Sequence, residues 1–319
     1  MDRNLALEVV RVTEAAALES AQFMGRGDEA AADEAAAKAM HKLFPNIECK
    51  GRVVIGEGEL DAVPILYVGE ELGTGRGPDL EIALDALEGA TTCATGAPNA
   101  MSVVAIAEHG GFLRCPQHVY MEKIAVGPVG KGVINLDKPL RENLAALAET
   151  KGVRIENLTV VLLDRPRHEQ VITEIRQAGA RIKLISDGDL AAALATTRED
   201  TGIDMLVGTG GAAQGILAAA ALYCIGGDMQ GRFRPRNQEE AGQLRQHGLD
   251  DFHKKFTLED MVKGNVMLAA TGVTSGDYLK GVRFVRGGAV THSVVMRSKS
   301  RTIRFMETTH HFDLHPEYE

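Results

Sequence analysis

Two kinds of spacing alternate along the first hundred residues. Over 4–23 (NLALEVVRVTEAAALESAQF) apolar side chains recur at helical intervals, which predicts an amphipathic helix. Gly25-Arg26-Gly27-Asp28 breaks that pattern, and the alanine-rich stretch 29–44 predicts a second, closely packing helix. Asp28, Glu29, Asp33 and Glu34 cluster at its start, where acids also complement the helix dipole. Strand patterns follow at 51–56, at 79–84 and at 99–108, and Gly110-Gly111 reads as a hairpin-like turn into Phe112-Leu113.

From about residue 150 the pattern changes. The apolar run 158–163 predicts a strand buried on both faces. A helix is expected over 167–178, a strand over 181–186, a helix over 189–196 and a third strand over 204–207. That strand runs into the turn Gly208-Thr209-Gly210-Gly211-Ala212 and an apolar helix over 215–225. Such alternation with short loops implies a parallel sheet with right-handed crossovers. Residues 232–260 turn polar and read as a helical insertion, and the tail carries strand signals at 282–286 and 290–296. Two α/β domains are expected, 1–148 and 149–319, since a chain of 319 residues is long for one core.

Composition narrows the partners. Thirty-five basic against 44 acidic residues give a formal net charge of −9, which excludes the basic face a nucleic acid needs. An anionic small substrate stays open, because metal ions invert the field of an acidic pocket. Cys49, Cys93, Cys115 and Cys224 lie far apart with no CxxC spacing, so free thiols in a reducing compartment are expected. The N-terminus MDRNLALEVV lacks the uninterrupted apolar run of a signal peptide, and no segment has the length of a membrane span, which together predict a cytoplasmic protein.

The candidate chemistry lies in acids at strand ends. Glu57 follows the glycine that closes one predicted strand; Asp85 closes another, with Glu88 three residues on beside Gly89. An isolated Asp or Glu is ordinarily a solvated surface group, but carboxylates at strand ends converge on a sheet's ligand-binding edge. Gathered without basic partners they require a hard cation, and oxygen-only ligation points to Mg²⁺ or Mn²⁺. Arg165-Pro166-Arg167 sets two planar forks at a strand's end, suited to phosphate oxygens. Asp187-Gly188-Asp189 can accept from sugar hydroxyls or serve as a helix N-cap.

The run D-x-x-E-G at 85–89 resembles the metal motif of the lithium-sensitive sugar and inositol phosphatases. More narrowly, GRGD-x-x-x-AD at 25–33, VVIGEGELD at 53–61, YMEKIAVGP at 120–128, DRPRH at 164–168 and SDGDLAAA at 186–193 resemble class II fructose-1,6-bisphosphatase. So do TGVTSGDYLKGVRF at 271–284 and HSVVMRSKSRTIRF at 292–305. The resemblance implies a layered α/β sugar-phosphatase fold in two domains, a metal-binding catalytic one and a sugar-phosphate-binding one. It implies Asp33, Glu57, Asp85 and Glu88 as metal ligands, with Gln214 at a further ligand position. Gly89, Ala90, Tyr120, Arg165, Arg167, Asp187, Gly188, Asp189 and Gly211 fall at its sugar-phosphate contacts. Asp61, Glu88 and Thr91 are candidates for the catalytic step. The implied reaction is metal-assisted hydrolysis of the 1-phosphate of fructose 1,6-bisphosphate, with sedoheptulose 1,7-bisphosphate as a further candidate. A homo-oligomer, dimer or tetramer, is also implied.

The sequence departs from the family at three points. Ala90 replaces a threonine, Glu29 a lysine and Gln214 a glutamate; Asp85-Ala86 also lacks the usual proline. Losing the hydroxyl at position 90 costs on the order of a hundred- to a thousandfold in rate where nothing replaces it. Thr91 is the nearest substitute, although a one-residue shift at a helix start turns a side chain by about 100°. Glu29 is a candidate source for the carboxylate that Gln214 lacks. Two readings follow: a working phosphatase, or a catalytically impaired homologue that binds sugar phosphates or partners an active paralogue.

Overall fold

The computed structural model describes residues 5–58 and 64–312. The chain forms two compact units. One holds the described residues up to Ile106, Met267–Met296 and those from Ile303 onward; the other holds Ala107–Val266 and Arg297–Thr302. This division differs from a single cut after 148. Residues 107–148 belong with the second unit because a strand from that stretch lies inside its sheet. Residues 267–296 return to the first unit because their strands complete its sheet.

In the first unit, helices α1 (Leu5–Ala21) and α2 (Glu29–Leu43) precede strands β1 (Lys50–Ile55), β2 (Glu71–Leu72) and β3 (Asp79–Glu88). Helix α3 (Ala90–Thr95) and strand β4 (Met101–Glu108) follow. The second unit runs β5 (Tyr120–Val126), α4 (Leu140–Lys151), β6 (Thr159–Leu163), α5 (Glu169–Ala178), β7 (Arg181–Ile185), α6 (Asp189–Ala195), β8 (Met205–Gly211) and α7 (Ala212–Ile225). It continues through β9 (Asp228–Phe233), α8 (Gln238–Gln246), β10 (Phe256–Thr257) and α9 (Leu258–Met261). The chain then adds β11 (Val266–Gly272), β12 (Arg283–Val285), β13 (Gly288–Arg297) and β14 (Thr302–His311).

The first sheet has the order β12-β13-β11-β4-β3-β1-β2, with β14 also paired to β13. Helices α1 and α2 bury Val9, Val12, Ala16, Ala36 and Met40 in one cluster with Ile82, Leu84 and Ile106 of the sheet. Alanine on both helices permits the close approach that its abundance predicted. Strand β3 runs past its expected end: Asp85 and Glu88 both lie within it rather than beyond it. It is flanked on both sides by strands and almost wholly buried, so the ladder continues through the acids. The expected turn at Gly110-Gly111 forms, with the Gly111 amide donating to the Glu108 carbonyl at 2.9 Å, but the chain beyond it pairs elsewhere. Phe112 instead bridges to Val262, which takes its backbone pairing.

The second sheet, β10-β9-β5-β8-β6-β7, is mixed rather than parallel. Strands β6, β7 and β8 are parallel as expected, but β5 runs antiparallel to both β8 and β9. The pattern of YMEKIAV, with its charged side chains, did not announce β5. Pairing with β5 also carries β8 through the glycines to Gly211, where a turn was expected. The polar stretch 232–260 holds α8 and α9 but also β10. All four cysteines are buried and unbridged. No helix among the described residues is long and apolar enough to cross a membrane.

Ile82 is fully buried on β3, and its Cδ1 would lie 2.4 Å from a Cβ at Gly51 on the paired strand. Ile82→Ala is expected to cost about 2–5 kcal/mol in urea unfolding. Gly51→Ala should destabilise the wild type but cost distinctly less when Ile82 is already alanine. Strict additivity of the two changes would contradict this packing.

Candidate active site

The parallel pairing of β1 with β3 brings their C-terminal ends side by side. Glu57 lies two residues beyond β1, and the Ala86 amide of β3 donates to its Oε1 at 2.7 Å. Asp33 stands one turn into α2. Burial pushes the Glu57 carboxyl up to about 8, helped by the negative charges of Asp85 and Asp33; the Ala86 hydrogen bond opposes this only in part. Burial raises Asp33 as well. Glu88, at the end of β3, is buried. Neither Asp33 nor Glu57 forms an ion pair among the described residues.

Carboxylates crowded in this way fit a hard divalent cation in donor type and in charge. The fit is chemical rather than a finished cage. Among the described residues no group of three or more His, Cys, Asp or Glu side chains is already arranged to hold a metal ion. Asp61 lies outside the described residues.

Gly89, at φ +87°, is the N-cap of α3 and occupies the left-handed region that favours glycine. Ala90 follows as the first helical residue and packs its methyl against the apolar core. Thr92 is buried, its hydroxyl donating to the Gly89 carbonyl at 2.7 Å. Thr91 is exposed on the first turn of α3, so of the two threonines it is the one that faces solvent. Glu29 is exposed at the start of α2, one helical turn before Asp33 and on the same side of the helix.

The second unit gathers the other candidates at one sheet edge. The parallel strands β6, β7 and β8 lead at their C-terminal ends into Arg165-Pro166-Arg167, Asp187-Gly188-Asp189 and the start of α7. The Thr209 peptide of β8 is held from both sides. Arg167 Nε donates to its carbonyl at 2.9 Å, and its amide donates to His168 Nε2 at 2.8 Å. His168 Nδ1 lies 2.7 Å from the Leu163 carbonyl, so the neutral ring with its proton on Nδ1 satisfies both contacts. Arg165 donates to the carbonyls of Asp164 and Ser186 at 2.9 and 2.7 Å.

Asp189 forms a buried ion pair with Lys123 of β5, and Lys123 also donates to the Gly211 carbonyl at 3.0 Å. A Cβ at Gly210 would meet Asp189 Oδ2 at 2.5 Å, so this pair requires glycine there. The N-cap of α6 is Gly188, at φ +88°, and not Asp187, whose Oδ1 accepts the Gly188 amide at 3.0 Å. Tyr120, at the start of β5, lies opposite Gly211 in the ladder. Gln214, on the first turn of α7, folds its amide back over Gly211.

Sequence reasoning missed Lys123, His168 and Arg236. Lys123 had a signal, a lone ammonium in a strand otherwise turning apolar (KIAV). Arg236 lay in the run GRFRPR without distinguishing spacing.

A family model described as "Bacterial fructose-1,6-bisphosphatase, glpX-encoded" matches residues 3–310. Among curated proteins, the chain is 43% identical over 335 aligned positions to the "D-fructose 1,6-bisphosphatase class 2/sedoheptulose 1,7-bisphosphatase" of Synechococcus sp. (strain JA-3-3Ab), covering 97% of this chain and 96% of that protein. It is 40% identical over 338 positions to the protein of the same name from Synechococcus elongatus (strain ATCC 33912 / PCC 7942 / FACHB-805), covering 98% of each.

Burial, first of all, holds the His168 pKa below its ordinary 6.5; the cations Arg167 and Arg165 add to this, against the bond to the Leu163 carbonyl. Protonation would also set an N–H against the Thr209 N–H. Its contribution to stability is therefore complete above about pH 6.5 and declines as pH falls through the depressed folded-state value. Urea midpoints measured from pH 7.5 down to 5 should fall more steeply for wild type than for His168→Gln. Parallel curves would show that His168 is not held neutral.

Proposed function

The chain belongs to the bacterial, glpX-encoded fructose-1,6-bisphosphatase family, and on that premise we propose that it hydrolyses the 1-phosphate of fructose 1,6-bisphosphate to fructose 6-phosphate and phosphate. Sedoheptulose 1,7-bisphosphate is the second expected substrate, from the double name its relatives carry. The observation that carries the reading is Glu57, a buried carboxyl beside the negative charges of Asp85 and Asp33; burial first, and then those charges, push it up to about 8. Such a cluster is stabilised by a divalent cation and by little else.

In this reading Asp33, Glu57, Asp85 and Glu88 hold the metal, Mg²⁺ or Mn²⁺. When bound, divalent ions supply Lewis-acid activation of the phosphoryl group and of water. The chain's own residues do the rest. Ala86 orients Glu57 through its amide. Arg165 and Arg167 hold the phosphate that is not cleaved, and Tyr120 and Gly211 border it. Asp187 and Asp189 accept from sugar hydroxyls. Lys123 engages Asp189 Oδ2, which leaves Oδ1 as the oxygen Asp189 can offer. Gly89 and Gly188 provide turns through which backbone can approach the substrate. Asp61 and Thr91 are the candidates to orient the attacking water, Thr91 in place of the hydroxyl lost at Ala90. The reading extends to a homo-oligomer in the cytoplasm.

Ala90 favours a second, narrower reading, in which turnover is slow. Its methyl packs against apolar side chains and offers no hydrogen bond. With Mn²⁺ or Mg²⁺ the purified chain should release phosphate from fructose 1,6-bisphosphate, and a chelator should abolish this. Ala90→Thr should raise kcat, on the order of a hundredfold if no other group replaces the hydroxyl. Little change would identify Thr91 as a working substitute. No release from any sugar bisphosphate by either protein would sink the proposal.

A further inference from the structure

Two guanidiniums pack on the ring of Tyr120. The Arg167 guanidinium carbon lies 4.9 Å from the ring centroid and that of Arg236 lies 4.1 Å away. Burial lowers the Arg167 pKa, and the like charges of Arg165 and Arg236 add to this against Tyr120 and Asp189, so all three arginines lie within electrostatic reach. Like charges are not gathered without a reason, because each raises the cost of the others.

The charges do not balance locally. Arg165 and Arg167 donate to backbone carbonyls, those of Asp164, Ser186 and Thr209. Asp189, the acid whose charge acts on Arg167, is already paired with Lys123. Arg236 alone has a carboxylate partner, Glu240. About two positive charges are left over, and a phosphate monoester brings about −1.5 to −2 at neutral pH.

Arg236 is also held in a defined place. Its Nε donates to Glu240 Oε1 at 2.6 Å, its own amide to Glu240 Oε2 at 2.8 Å, and its Nη2 to the His118 carbonyl at 3.1 Å. Glu240 is buried in the first turn of α8, whose N-cap Asn237 accepts the Glu240 amide. A long side chain fixed from three directions over an aromatic face has lost most of its rotamer entropy before any ligand arrives. Arg236 still remains exposed enough to meet one, with 48% of its side chain accessible.

We propose that Arg236 is a third phosphate-binding guanidinium, which with Arg165 and Arg167 holds the uncleaved phosphate and so makes the site selective for bisphosphates over 1-monophosphates. The proposal rests on the reading of Arg165 and Arg167 given above. Tyr120 then offers its ring as the surface on which both Arg167 and Arg236 pack. Glu240 is a positioning residue that sets the Arg236 fork.

The test uses the full chain. Calorimetric titration with fructose 6-phosphate, which carries only the uncleaved phosphate, is expected to show binding to wild type, weakened about tenfold to a hundredfold in Arg236→Gln. The ratio of kcat/KM for fructose 1,6-bisphosphate to that for fructose 1-phosphate should fall by a similar factor. Because Arg236→Gln leaves Glu240 buried without its partner, the double variant Arg236→Gln/Glu240→Gln is measured alongside and should show the same loss. Unchanged fructose 6-phosphate affinity in both variants, or equal losses with both substrates, would overturn the role of Arg236 alone. Failure of wild type to bind fructose 6-phosphate would overturn the reading of Arg165 and Arg167 as well.

Discussion

Negative charge placed where water is scarce is the constraint around which the first unit is built. A carboxylate at the end of a buried sheet loses hydration and gains little from one backbone amide. Glu57 illustrates the balance: the Ala86 hydrogen bond favours its ionised form, but burial, Asp85 and Asp33 together outweigh it. A chain with only stability to satisfy would have apolar or paired side chains at these ends. The core made by α1, α2 and the first sheet is large enough to tolerate such a site. The carboxylates are thus a cost that the fold carries at the ends of these strands.

The second unit meets the opposite problem and solves it in two ways. Where a charge is fully buried it is paired, as Lys123 with Asp189. Even there the pair is accommodated only because Gly210 leaves room and the Gly211 carbonyl takes another of the ammonium's protons. Where charge is left at least partly exposed, the guanidiniums of Arg165 and Arg167 are tethered to carbonyl oxygens, which fix direction without cancelling charge. The Thr209 peptide links these devices, because the arginine and the histidine that grip it come from adjoining residues of one loop. A single backbone position thereby registers the loop after β6 against β8.

How far the sequence disclosed this depended on whether the signal was local. The helices at 29–44 and 189–196 and the apolar strand at 158–163 were legible because periodicity and burial coincide there. The acids at 57, 85 and 88 were legible through their positions beside glycines and strand ends, and the matching text carried roles for each. Strand β5 was not legible, since Glu122 and Lys123 interrupt its pattern and find their partners, Arg232 and Arg234 for one and Asp189 and Gly211 for the other, far along the chain. Nor was the extent of β8 through Gly208 to Gly211, where pairing with β5 overrides the turn preference of glycine. The two-unit division escaped for the same reason: β11 and β13 join a sheet begun more than 150 residues earlier, and no composition shift marks such a return.

The three departures from the family pattern differ in physical weight. Glu29 lies on the first turn of α2, where the helix dipole favours a negative charge; it is exposed, so its reversal of charge costs the fold little and is well screened. Gln214 removes a charge but keeps an oxygen. A neutral amide is a weaker donor to a hard cation than a carboxylate but carries no charge to desolvate, so the two effects partly offset. Ala90 has no such offset. A methyl packed on the core can neither orient a proton nor accept one, and Thr92 cannot lend its hydroxyl while that group caps the Gly89 carbonyl from a buried position. Only Thr91 keeps an exposed hydroxyl on that turn, displaced by one residue around the helix. Of the three, the change at position 90 is therefore the one that neighbouring side chains do not offset, since binding tolerates approximate charge and proton positioning does not.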